Sequence, residues 1–269
     1  MIREIVILSI FFGLTFAEAI QDNDFDGVAD GVDECPKTSF LNEVNAKGCS
    51  VRILTLPNET ESDSLVTTLS YGLNRNEDFL GGESQYSSKI QASYYRNNWS
   101  YSLATGYYKH GREDGVLDTI VKVKYRFNLI SKLKLRLGTG VKLPTYTFEG
   151  NRIDYILYSS LNYYFTPSLS FFVRYNYSLV NDKSEIETLQ NSYLSSFGVG
   201  YFFTKDFYAN ISYHKGQNKF TNEHKIESIS SSLYYRIDKK WFGTFFYDRE
   251  INDEDFHETA NFKIGYKWW

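Results

Sequence analysis

The most regular spacing of chemically capable side chains is near the start of the chain. It reads Asp22-Asn23-Asp24-Phe25-Asp26-Gly27-Val28-Ala29-Asp30-Gly31-Val32-Asp33. With Asp22 as position 1, carboxylates fall at positions 1, 3, 5, 9 and 12, and Gly27 falls at 6. Alternate side chains of such a loop converge on one point, and the glycine permits the sharp turn. This is the oxygen-ligand spacing of an EF-hand-type Ca2+ loop, in which the seventh position, here Val28, ligates through its carbonyl. Asp33 at the last position is one methylene shorter than the usual Glu. No amphipathic helices flank the loop, so a true EF-hand is not expected.

A second set of capable residues is basic. Lys122, Lys124, Arg126, Lys132, Lys134, Arg136 and Lys142 crowd two neighbouring segments, with Arg174 and Arg236 further on. Like charges side by side repel, so water, carboxylates or an anion must offset them. A stripe of Lys and Arg along a pore wall lowers the barrier to anions. Catalytic constellations are scarce. His110, His214, His224 and His257 lie near loop regions and none has Ser two residues on. No nucleophile signature and no zinc spacing appears. An outer-membrane lipase-like hydrolase is therefore a lesser alternative, and the expectation is a protein that is not an enzyme.

The acidic stretch continues into Glu34-Cys35-Pro36-Lys37-Thr38, and a second cysteine follows in Asn45-Ala46-Lys47-Gly48-Cys49. The run D-x-D-x-D-G-V-x-D-x-x-D-x-C-P-x-T resembles a thrombospondin type 3 repeat. Similar repeats sit beside barrels in exported bacterial proteins of the outer-membrane-protein-A-like group. The resemblance implies a Ca2+ cofactor bound by Asp22, Asp24, Asp26, the Val28 carbonyl and Asp33, with Asp30 ligating through water or at a neighbouring site. It also implies a Cys35–Cys49 disulfide, which an exported location allows.

The elements that must position these groups follow from composition and period. The chain has 269 residues and a formal charge of −4; aromatics make up 18%, with 23 Tyr and 21 Phe. Beyond the first 20 positions no run is long and apolar enough for a membrane helix. Residues 1–19 read as a signal peptide: Arg3, the apolar run Ile5 to Phe16, then Ala17-Glu18-Ala19. Residues 20–49 form the expected calcium module and 50–62 a linker. Over 20–62 nine acids oppose three bases, a net of −6, which leaves +3 for residues 63–269. An acidic head on a basic body disfavours nucleic acid as a partner.

From residue 63 onward, alternation of period two recurs at near-constant spacing. Leu133, Leu135, Leu137, Thr139, Val141 and Leu143 share one face; Lys132, Lys134, Arg136, Gly138, Gly140 and Lys142 share the other. A strand separates such sets and a helix mixes them. Twelve such segments start near 63, 85, 98, 116, 131, 152, 168, 190, 206, 224, 240 and 258. Each is long enough to cross a bilayer at a tilt. Short turns alternate with longer polar loops at 75–84, 109–115, 144–151, 180–189, 215–223 and 249–257. The expected fold is all-β, a transmembrane antiparallel barrel of about twelve strands over 63–269, with both ends periplasmic. The last strand ends Tyr266-Lys267-Trp268-Trp269, similar to the aromatic-ended strands read by the barrel-assembly machinery of outer-membrane proteins.

The inner faces are expected to carry the cations above with Lys89, Lys263 and Lys267, against Asp118, Asp154, Glu227, Asp248 and Glu258. The reading is an outer-membrane channel of a Gram-negative envelope, surrounded by outer-membrane lipid and passing small anionic solutes. A structural or adhesive anchor is the competing class. Oligomeric state is not legible from these residues.

Overall fold

The computed structural model describes residues 24, 28–38, 42–53, 63–78, 81–111, 113–146, 149–184, 188–221, 225–251 and 256–269. The expected leader over 1–19 and the ligands Asp22 and Asp26 lie outside the described residues. Contacts divide the chain into two units, Met1–Ile53 and Leu54–Trp269.

The first unit holds β1 (Asn42–Val44) paired antiparallel with β2 (Ser50–Ile53). Cys35 and Cys49 are joined in a disulfide, 5.0 Å apart at Cα. Ser50 to Ile53 thus belongs to a two-stranded ribbon, where the sequence reading began the linker.

The second unit is one antiparallel sheet: β3 (Ser64–Asp78), β4 (Gly81–Arg96), β5 (Trp99–His110), β6 (Glu113–Val116), β7 (Thr119–Ile130), β8 (Leu133–Leu143), β9 (Asp154–Tyr164), β10 (Leu169–Leu179), β11 (Ser192–Thr204), β12 (Phe207–Gln217), β13 (Glu227–Arg236), β14 (Trp241–Glu250) and β15 (Phe256–Lys267). Apart from β6 and β7, which both pair with β5, each strand pairs with its chain neighbour, and β15 pairs with β3 from Phe256↔Glu77 to Lys267↔Val66. The sheet therefore closes on itself. Strands β6 and β7 share one wall position against β5, interrupted at 117–118, so the barrel has twelve strands. Two expected loops are largely strand: over 75–84, β3 and β4 continue pairing up to Asp78↔Gly81, and over 109–115, β5 and β6 pair at Lys109↔Asp114 and His110↔Glu113.

Small polar residues fold the short connections back. Asn97 takes a positive φ of 52° in the β4–β5 turn, a conformation Asn tolerates better than most residues. Thr204 Oγ1 accepts from the backbone N–H groups of Asp206 and Phe207. Asp238 accepts from those of Lys240 and Trp241, both at 2.7 Å, which holds its carboxyl below the usual carboxylate range.

Closure gives each strand one face to the lumen and one outward. Outward residues are apolar and exposed on strand after strand, among them Leu69, Ile90, Leu103, Val173, Phe197, Ile211 and Phe262. An apolar surface this extensive is a lipid-facing belt rather than a water-facing one. Aromatics bound it at both ends. Trp99, Phe127, Phe165, Phe203, Trp241 and Trp268 gather at the short-turn end; Tyr71, Tyr86, Tyr107, Tyr155 and Tyr175 gather toward the long-loop end. Trp268 is tied in by its N–H to Leu65 O and its indole N–H to Thr67 Oγ1.

Inward positions alternate large with small across strands. Phe242 lies over Gly265, Tyr208 over Gly200 and Phe172 over Gly198; an added Cβ would meet those rings at 2.0, 1.9 and 2.5 Å. The rings lie flat on the wall because the glycines leave room for them.

Two expectations follow. Val173→Lys, mid-strand on the outer face, should cost about 2–4 kcal/mol in denaturant titrations in liposomes. Gly200→Leu should lower stability by about 1–3 kcal/mol or more, since Tyr208 has nowhere to move.

Candidate functional site

The lumen has two unlike halves. On β11 to β14 the inward side chains are short and packed: Ser196, Ser212, Ser228 and Ser230 are buried. Toward the short turns, Phe202, Tyr208, Tyr234 and Phe242 form a buried apolar cluster with Val66 of β3. Long basic side chains line the other side: Lys122, Lys124 and Arg126 on β7 and Lys134, Arg136 and Lys142 on β8, with Lys89 on β4 and Arg174 on β10. Lys89 is exposed, and Lys122, Lys124, Arg136 and Arg174 are partly exposed. These cations are therefore reachable from the lumen, as are the partly exposed Asn210, Ser232 and Thr244 on the other side.

The basic wall follows from register. Lys122 pairs with Gly140, Lys124 with Gly138 and Arg126 with Arg136. Arg136 and Arg174 both face Ser160, one from each side. The stems of Lys122 and Lys124 lie across the two glycines, so the ammonium groups reach past the wall. Ring faces offset much of the repulsion. Lys124 Nζ stands 3.9 Å from the Tyr158 ring centre, Arg174 lies 4.1 Å over Phe172, and Lys134 stands 5.2 Å over Tyr164. Such contacts hold a cation without cancelling its charge. Arg126 and Lys134 are buried at the short-turn end, where Arg126 donates to Asn98 Oδ1 at 3.4 Å.

Several expected placements differ. Lys132 sits in the β7–β8 turn rather than on a strand. Arg236 faces inward on β13, away from the β7–β8 cations, 3.9 Å from Asp206. Lys142 faces inward but is enclosed by Asp118, Asp154 and Asp182. Glu227 and Glu258, expected inside, are outside. Glu227 pairs with Lys215 and Glu258 with Arg75, one residue out of phase with inward Ser228 and Thr259. Tyr213 and Tyr247 donate to them on that outer face.

Sequence spacing missed a polar network around His214. Its Nδ1 lies 2.7 Å from Ser196 Oγ on β11, and its Nε2 lies 2.7 Å from Ser230 Oγ on β13. Ser196 and Ser230 sit on flanking strands, where sequence spacing cannot show them, but Ser212, two residues before His214 on its own strand, lies 3.2 Å from Nε2 and was a local signal. Asp248, held by Ser228 at 2.9 Å, is 3.9 Å from Nε2. A catalytic triad needs the carboxylate on the imidazole nitrogen opposite the nucleophile. Asp248 is on the nitrogen opposite Ser196, but at 3.9 Å it is beyond hydrogen-bond reach, and Ser196, Ser212 and Ser230 are all buried, so the cluster reads as wall packing.

In the N-terminal unit, Asp24 Oδ2 accepts from the backbone N–H groups of Lys37 and Thr38, both at 2.7 Å. Its Oδ1 is buried with no hydrogen-bond partner among the described residues. Asp33 Oδ1 accepts from Cys35 N–H at 2.7 Å. Val28 and Asp30 are the other expected ligands among the described residues.

The fold is that of outer-membrane channels. The chain is similar to an outer membrane channel from Pseudomonas putida F1, with TM-score 0.64 and 9% identity over 80% of this chain and all of that one. It is also similar to the NanC porin, with TM-score 0.52 and 18% identity over 74% of this chain and 98% of that one. The KdgM porin matches at TM-score 0.49 and 15% identity over 73% and 98%. No protein-family model matches the chain. No curated protein matches it in sequence.

His214→Ala should leave buried Ser hydroxyls unsatisfied and cost about 1–3 kcal/mol of barrel stability, read as a lower urea midpoint of the refolded protein.

Proposed function

We propose that the chain is a passive outer-membrane channel for small anionic solutes. The observation that carries this reading is the accessible basic wall. Lys89, Lys122, Lys124, Arg136 and Arg174 line one side of the lumen, each at least partly exposed, and rings rather than carboxylates sit against Lys124 and Arg174. An anion moving along that wall meets fixed positive charge in a narrow, low-dielectric setting, where each charge acts strongly. The basic wall serves no purpose for a barrel acting only as an anchor. The outward aromatic girdles and apolar belt suit an outer-membrane location with lipid as the immediate partner.

The N-terminal unit would act as a periplasmic Ca2+-binding head. Its residues fit the ion in one specific respect: Asp24 keeps one carboxylate oxygen anchored on backbone N–H groups and the other buried and unpartnered. Asp22, Asp24, Asp26, the Val28 carbonyl and Asp33 would hold the ion, with Asp30 through water. Bound Ca2+ would draw together a segment of net charge −6. The Cys35–Cys49 disulfide closes the same segment on its far side.

Two measurements test the reading. Neutralising Lys122, Lys124, Arg136 and Arg174 together to Gln should lower anion-over-cation permeability roughly tenfold in planar bilayers. An unchanged ratio would remove the basic wall from selectivity. The mature chain should bind Ca2+ with a Kd of about 0.1–1 mM, the range of extracellular modules, by calorimetry, and Asp24→Asn should abolish that heat. Equal binding by the variant would show that Asp24 is not a ligand.

A further inference from the structure

The long-loop end of the barrel holds an ion cluster that solute passage does not use. Lys142 Nζ, facing inward near the end of β8, lies 2.6 Å from Asp154 Oδ2, 2.9 Å from Asp182 Oδ2 and 3.3 Å from Asp118 Oδ2. The side chains of Asp154 and Asp182 are 5% and 9% exposed. Each carboxylate turns its other oxygen to the chain around it. Asp118 Oδ1 accepts from Tyr146 N–H at 3.0 Å and from the Asn151 amide at 2.7 Å. Asp154 Oδ1 accepts from Asn181 N–H at 2.7 Å, and Asp182 Oδ1 from Arg152 N–H at 2.8 Å.

The β8–β9 and β10–β11 connections are thereby bound to one lysine. They are also bound to each other: Lys183 N–H donates to Gly150 O at 2.8 Å, and the Asn181 amide donates to Ile153 O at 2.7 Å. Gly150 has a φ of +87°, and an added Cβ would fall 2.0 Å from Lys183 O, so this approach needs glycine. The Tyr146 ring packs 5.4 Å from the ring of inward-facing Tyr108, whose hydroxyl donates to its own. Tyr108 and Lys142 both point into the lumen, so the segments that touch them lie over the mouth, above the basic wall. Lys219, from the β12–β13 connection, stands 3.9 Å from Asp182 on the outer side of the cluster.

We propose that Lys142 is a latch that holds these two connections across the long-loop mouth and narrows it. Three carboxylates share the Lys142 ammonium, with Lys219 only at the edge of Asp182, so the cluster keeps an excess of negative charge. Without Lys142 the three would repel at close range in a poorly solvated place. The hold on the connections stands apart from transport; the narrowing rests on the proposed channel.

The test compares the mature wild-type barrel with Lys142→Met and the milder Asp182→Ala, each refolded in liposomes. Folding is checked by heat-modifiable migration. Limited trypsinolysis after Arg152 and Lys183 reads the hold, and single-channel conductance reads the mouth. The latch requires cleavage at least about tenfold faster in Lys142→Met, a smaller acceleration in Asp182→Ala, and larger conductance steps in both. Equal cleavage rates would overturn it whatever the conductance. Faster cleavage with unchanged steps in a conducting barrel would overturn the narrowing. Faster cleavage with no conductance in any form, wild type included, would leave the hold standing and bring down the channel reading with the narrowing.

Discussion

Backbone N–H and C=O groups have no water to bond in hydrocarbon, so a sheet that crosses it must have no free edge. Pairing of β15 with β3 over twelve residues removes that edge. Once the sheet is closed, alternation alone sorts every side chain to lipid or lumen, and a one-residue change of phase exchanges the two. The outward faces answer with apolar side chains between aromatic girdles. Inward faces must then hold polar and charged groups in a confined space, and most of the internal architecture addresses that problem.

Two devices solve it. Large inward side chains are set across from glycine or serine, so rings and lysine stems lie along the wall instead of colliding. Cations are placed over ring faces: Lys124 on Tyr158, Arg174 on Phe172, Lys134 on Tyr164. Ring contacts lessen the repulsion within the basic wall while preserving its field. At Lys142 the carboxylates come with backbone N–H groups of the neighbouring connections attached. The opposite half holds buried serines, His214 and a cluster of aromatic rings.

Much of this was legible in the sequence. Period-two alternation set all twelve wall segments within a few residues of their observed starts, because the lipid face tolerates few exceptions. The faces of Lys122 to Lys142 followed from the same rule. The rule failed at strand ends: Glu227 and Glu258 lie outside, where headgroups rather than hydrocarbon surround them and the apolar pattern lapses. It failed also over 75–84, where polar residues read as a loop extend a hairpin beyond the lipid belt. The Asp182 contact to Lys142 and the Ser196 and Ser230 contacts to His214 were hidden, since they join residues distant in sequence through register and loop folding; Ser212, two residues before His214, was the local signal. The cysteine pairing was legible through the repeat-like run alone.

The central claim is that the basic wall makes the lumen favour anions. The most direct test is the zero-current potential of wild-type channels across a tenfold KCl gradient. The account predicts the sign of chloride selectivity. A potential of the opposite sign, or none in open channels, would contradict it.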